Sequence, residues 1–282
     1  MRSPGYLRPM ALCARSWTLL RRNPILVMPV LVAYALVILV SLPTLLVPAW
    51  NAPKADTRTL VVVLIVSYAI EWVFFSAAVA MTYGMAAEVW RFGSTTLAAG
   101  WAAMRRTWTG VALFFLAVGI LLGGAYAPLL IWSQTHPQSE QLPPQLGWLT
   151  LVAVVLEVAV GFFGAYALPG IVTGEQGAWR AFAASAGLAV RNAALTVWTL
   201  FALLTITLSV ALAVGIVGGA AGAVGAAIGK GAAGISGGVF ALLFALSALA
   251  LQALAHVAFT GLYLALVGGE GEPGEDLRPR YE

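Results

Sequence analysis

Six runs of predominantly apolar residues, each long enough to cross a bilayer, constrain this chain more than any other feature. They lie near Ile25–Val47, Leu60–Tyr83, Gly110–Trp132, Trp148–Val172, Ala193–Val217 and Val239–Val267. About 20 apolar residues in a helix match the hydrocarbon thickness of a membrane. Charged residues make up only 9% of the chain, against roughly 25% in soluble domains. The reading is an all-α polytopic membrane protein. A β-barrel would show alternating segments of about ten residues, and the sequence has none. One transmembrane domain is expected over residues 1–268, followed by an acidic, disordered cytoplasmic tail over 269–282. Pro29 and Pro43 fall inside the first run and predict kinks.

Lysine and arginine set the orientation. Twelve fall on one side: Arg2, Arg8, Arg15, Arg21 and Arg22 at the N-terminus; Arg91, Arg105 and Arg106 after the second run; Arg180 and Arg191 after the fourth; Arg278 and Arg280 in the tail. Lys54, Arg58 and Lys230 make three on the other. Positive residues stay in the cytoplasm, so both termini are expected there. The first run, at about 23 residues, exceeds a signal-peptide core of 7–15 and reads as a retained span. The formal charge of +4 is spread beside spans rather than pooled on a soluble module, which argues against nucleic acid as a partner. Membrane lipids, and other membrane proteins, are the expected partners.

A short basic segment recurs. "SWTLLRRNP" begins at Ser16, "GWAAMRRTW" at Gly100 and "SAGLAVRNA" at Ser185. Ser16, Arg22 and Asn23 match Ser185, Arg191 and Asn192 at one offset of 169; Trp17, Arg21 and Arg22 match Trp101, Arg105 and Arg106 at 84. Glu71 and Glu157 are 86 apart, as are Gly84 and Gly170. Three copies of one unit are expected, each a short amphipathic interfacial helix followed by a helical hairpin. In the first copy Met10, Cys13, Trp17 and Leu20 share a face opposite Arg8, Arg15 and Arg22. Leu97, Trp101, Met104 and Trp108 form the second stripe, and Trp179, Phe182 and Ala186 the third. These helices are expected to lie in the interface, with Arg21, Arg22, Arg105, Arg106 and Arg191 contacting lipid headgroups.

The segments "SWTLLRRNPILVMPVL" and "ALPGIVTGEQGAWRAFAASAGLAVRN" resemble an uncharacterised group of bacterial six-span membrane proteins. That group includes the membrane domain attached to some glycerophosphodiester phosphodiesterases. The resemblance implies the bacterial cytoplasmic (inner) membrane as location. No soluble catalytic domain accompanies the spans here, so phosphodiesterase activity is not implied.

Chemistry-bearing residues are few. Glu71 and Glu157 sit inside spans, where a carboxylate suggests an ion or proton site or a packing hydrogen bond. His256, in the sixth run, reads as a helix-packing residue or a ligand-binding one. Two histidines and the single Cys13 are too few for an ordinary metal cage, and no cofactor is expected. "GISGG" at Gly234–Gly238 lacks the strand and catalytic partners of a nucleophile elbow. The segment Gly218–Gly238 holds nine glycines and reads as an outer loop, with a re-entrant or helical piece as the alternative. No nucleophile–base–acid set is visible, so the chain is not expected to be an enzyme. The expected role is a non-catalytic accessory or scaffold protein; the alternative is a small transporter or permease-like subunit using Glu71 and Glu157.

Overall fold

The computed structural model describes residues 8–51, 57–135 and 143–268. Among these the chain is helical, with no strand. The elements are α1 (Pro9–Arg22), a 3-10 turn (Pro24–Val27), α2 (Met28–Asn51), α3 (Thr57–Phe92), α4 (Leu97–Thr135), α5 (Pro144–Gly164), α6 (Ala167–Thr173), α7 (Ala178–Arg191), α8 (Ala193–Ile228) and α9 (Lys230–Val267). Five helical stretches are long and apolar enough to span a membrane. A sixth is made by Pro9–Arg22 with Pro24–Val40, if these two parts, bent by 96°, count as one. The chain is thus a multi-pass membrane protein by its helices.

Each break has a local cause. Pro24 has no N–H and disfavours helix at the residue before it, so α1 stops at Arg22. The bend falls there, and α2 runs on through Pro29 and Pro43, the positions where kinks were expected. The fourth span is two pieces, α5 and α6. Pro169 cannot donate to the carbonyl four residues earlier, and the helix opens at Ala165–Tyr166. A freed backbone group inside a membrane must find another partner. Ser185 of α7 supplies one: its Oγ accepts from the Tyr166 N–H at 2.9 Å and donates to the Phe163 carbonyl at 2.6 Å.

Two expectations are corrected. The second basic segment is not a separate helix; Gly100–Trp108 is the start of α4, which continues without a break into the third span. The first and third copies end in Arg-Asn, and both asparagines fold back on the carbonyl four residues earlier. The second copy has Thr107 instead, whose hydroxyl bonds the Ala103 carbonyl inside an unbroken helix. Gly218–Gly238 is also not a loop. α8 and α9 run through it and turn only at Gly229, at φ 140°, which a side chain would resist. Glycine costs a helix about 1 kcal/mol in water. Here α8 packs closely on α9, with Gly218 against the Phe240 ring, and this contact holds the helices through the segment.

Packing concentrates at one end. α2 lies on α3, α3 on α4, and α8 on α9, while α3 meets α9 in the centre and α1 crosses α8 and α9. The fully buried side chains Leu12, Met85, Val89, Tyr166, Val257 and Leu262 belong to one cluster. Leu12 comes from α1 and Met85 and Val89 from the end of α3, two helices that carry exposed arginines, while Val257 and Leu262 come from the end of α9. Further along α8, Leu204, Leu208 and Leu212 face outward, as acyl-chain contact allows.

Candidate functional site

The end of the bundle where α1, the α3–α4 turn, α6, α7 and the last turns of α9 converge is a polar-tied knot. Asn23 donates from Nδ2 to the Gly93 carbonyl at 3.1 Å and so joins the α1 corner to the α3–α4 turn. Trp90 donates from Nε1 to the Val257 carbonyl at 2.6 Å, tying α3 to α9. Its indole lies against Gly261, where a Cβ would overlap the ring. Arg15 of α1 stands 5.0 Å above the same indole. Tyr166 and Thr196 share a hydroxyl hydrogen bond of 2.6 Å between α6 and α8. A further ring pair, Tyr83 and His256, lies 4.6 Å apart in the core.

This end is basic and carries the three repeated segments. Arg21, Arg22, Arg105, Arg106 and Arg191 are all exposed there. Arg106 pairs with Glu175 at 3.2 Å. Arg191 lines a shallow pocket of about 380 Å³ beside Gln176, Leu188 and Tyr263, which contains none of the other four. The faces that pack on the bundle overlap the stripes only in part. α1 buries Leu12, Cys13, Ser16 and Leu20, while Met10 and Trp17 are exposed. The start of α4 buries Gly100, Ala103 and Thr107; α7 buries Ala181, Ser185 and Ala189. In α4 and α7 these small side chains allow close approach to the bundle. Trp17, Trp101 and Trp179 are left on the outer flank, at 50%, 54% and 82% exposure.

The candidate acids lie elsewhere and apart. Glu71 of α3 is half-buried and lines an open groove of about 360 Å³ with Tyr34, Tyr68, Trp72 and Phe75. Glu157 of α5 is exposed and accepts a hydrogen bond of 2.8 Å from the Tyr126 hydroxyl of α4. It does not line the groove of Glu71. His256 is buried, and its Nδ1 has no hydrogen-bond partner among the described residues. Among those residues no group of three His, Cys, Asp or Glu could hold a metal ion. Lys54, His136, Glu140 and the acidic tail over 269–282 lie outside the described residues.

The ties Asn23–Gly93, Trp90–Val257 and Ser185–Tyr166 were not among the sequence candidates. Their trace was present in the matched Ser and Asn of the repeats, but sequence does not say which backbone group a buried hydroxyl reaches. No protein family matches the chain, and no similarity to a curated protein or to a solved structure was found.

Proposed function

We propose that the chain is a non-catalytic accessory or scaffold protein of a bacterial inner membrane, with its basic end at the cytoplasmic headgroup level. The observation that carries the reading is the pairing of exposed Trp17, Trp101 and Trp179 with exposed arginines at one end of the bundle. Indole rings favour the membrane interface, and each basic residue near an anionic surface adds about 1 kcal/mol of attraction. Three copies of a segment-plus-hairpin unit would then each carry an anchor. Placing the chain with the six-span group that it resembles belongs to the same proposal. The transporter reading draws less support, since Glu71 and Glu157 line different surfaces and Glu157 already has a tyrosine partner.

The test is depth. In a Cys13→Ala background, single cysteines replace Arg21, Arg105 and Arg191, and each carries a spin label in bilayers containing anionic lipid. All three labels are expected at headgroup depth on the same side. A label in bulk water, or on the opposite face, would sink the reading.

A further inference from the structure

A groove of about 810 Å³ opens where α4, α5 and α7 meet. This is within the range of small-molecule sites. α4 supplies Leu113, Phe114, Ala117 and Leu121 as one wall, and α5 supplies Val160. From Leu113 to Leu121 the wall runs about 12 Å along the helix axis, in a stretch apolar enough to span the membrane. α7 forms the mouth with Trp179, Arg180 and Phe182. Phe182 packs on Phe114 with ring centroids 6.3 Å apart, and Trp179 stacks on Phe182 at 6.5 Å. The groove is therefore apolar along its length and cationic at one end.

The charge at the mouth has a definite sign. Arg180 is exposed and makes no ion pair among the described residues. Glu175, the nearby carboxylate in the α6–α7 turn, is held by Arg106. α7 has no acidic residue in its first turn and no side chain capping its N–H groups, so an anion arriving beside Arg180 meets no carboxylate on that helix. We propose that this groove is a site for an anionic phospholipid. One acyl chain lies along Leu113–Leu121, and the phosphate rests against Arg180 under Trp179. Two of its walls, α4 and α5, are helices long and apolar enough to span the membrane, so the medium that reaches it is lipid. Its occupant must be apolar over about 12 Å and negative at the end. A phosphatidylglycerol meets both conditions, and a phosphatidylcholine of the same chains lacks the net charge. The inference rests on the reading that the basic end lies at headgroup level.

The full chain, purified in mild detergent, is offered equal amounts of phosphatidylglycerol and phosphatidylcholine with identical chains, and bound lipid is counted by native mass spectrometry. Phosphatidylglycerol is expected to be retained about fivefold over phosphatidylcholine, the preference that one headgroup-level arginine supplies. Arg180→Gln should remove that preference, while Thr205→Ala, at an exposed position on α8, should leave it. Ala117→Trp fills the groove and should cut retention of both lipids about tenfold. Because Ala117→Trp is able to disturb folding, a second measurement stands beside it. Phosphatidylglycerol with a photoreactive acyl chain should label Leu113–Leu121 in the unmodified protein. Equal retention of the two lipids, a preference that survives Arg180→Gln, or labelling spread evenly over the spans overturns the site. If the spin labels report water depth while photolabelling still maps to Leu113–Leu121, the headgroup-level reading fails and the groove stands. The reverse result leaves the interface reading and removes the groove.

Discussion

Ser16 and Ser185 occupy matching places in two copies of the basic segment, and both are buried, yet their hydroxyls do different things. Ser185 mends the break before α6, while Ser16 Oγ has no hydrogen-bond partner among the described residues. Removing a hydroxyl that satisfies a buried N–H leaves that group orphaned, at a cost of about 1–3 kcal/mol. Removing one that bonds nothing relieves a desolvated group. Ser185→Ala should therefore lower the Tm of the detergent-purified protein, while Ser16→Ala should leave it unchanged or raise it. Equal losses from both would mean that Ser16 has a partner. Cys13, beside Ser16, gives a second residue-level expectation. Burial raises its thiol above the ordinary value, so less thiolate is present at a given pH. Alkylation at pH 8 should run at least about tenfold slower in the folded protein than after denaturation, and should accelerate as pH rises toward and past the shifted value. Fast labelling at pH 8 would show that α1 leaves the bundle.

At the scale of elements, the α8–α9 hairpin makes its own prediction. Gly218 faces the Phe240 ring so closely that an added Cβ would overlap it, whereas Gly219 has open space on that side. Gly218→Ala should destabilise by about 1–3 kcal/mol through overpacking. Gly219→Ala should be neutral or gain a few tenths through helix propensity. Thermal unfolding of the two variants separates them, and a neutral Gly218→Ala would mean that the hairpin splays apart. The same hairpin shows how far the sequence could be read. Apolar runs longer than 20 residues located the spans, because bilayer thickness leaves few alternatives. Glycine-rich composition pointed to a loop, because propensity alone ignores the close helix contact that glycine permits, as at Gly218 against Phe240. The amphipathic stripes say less about which face packs on the bundle. Of the α1 stripe, Cys13 and Leu20 are buried with Leu12 and Ser16, while Met10 and Trp17 stay exposed. The separation of α1 and α7 from the next span was signalled by Arg-Asn, and its absence in α4 by Arg-Thr. The site residues were the least legible: Glu71 and Glu157 looked paired by their spacing, and the folded chain gives each a different neighbourhood.

For the whole molecule, the long helices pose a problem of thickness. α8 has 36 residues and α9 has 38, or about 54 Å and about 57 Å of helix, against a hydrocarbon core of about 30 Å. A tilt within the usual range shortens that projection only in part. With Ala193 at the headgroup level proposed above, the turn at Gly229 would extend past the opposite headgroups. An epitope inserted at Gly229 should therefore be reached from outside intact cells, while one at the C-terminus should be reached only after permeabilisation. That expected polarity rests on the sequence reading, which puts twelve basic residues on one side and three on the other. The first segments to emerge usually dominate orientation, so the N-terminal arginines should matter most. Replacing Arg8, Arg15, Arg21 and Arg22 together with Gln leaves Arg2 alone before the first span, against Lys54 and Arg58 after it. That variant should yield a mixed population at Gly229, whereas Arg105→Gln with Arg106→Gln should not. Uniform outside labelling in both variants would show that the arginines anchor the folded bundle without directing its insertion. Uniform inside labelling in the unmodified protein would invert the topology altogether.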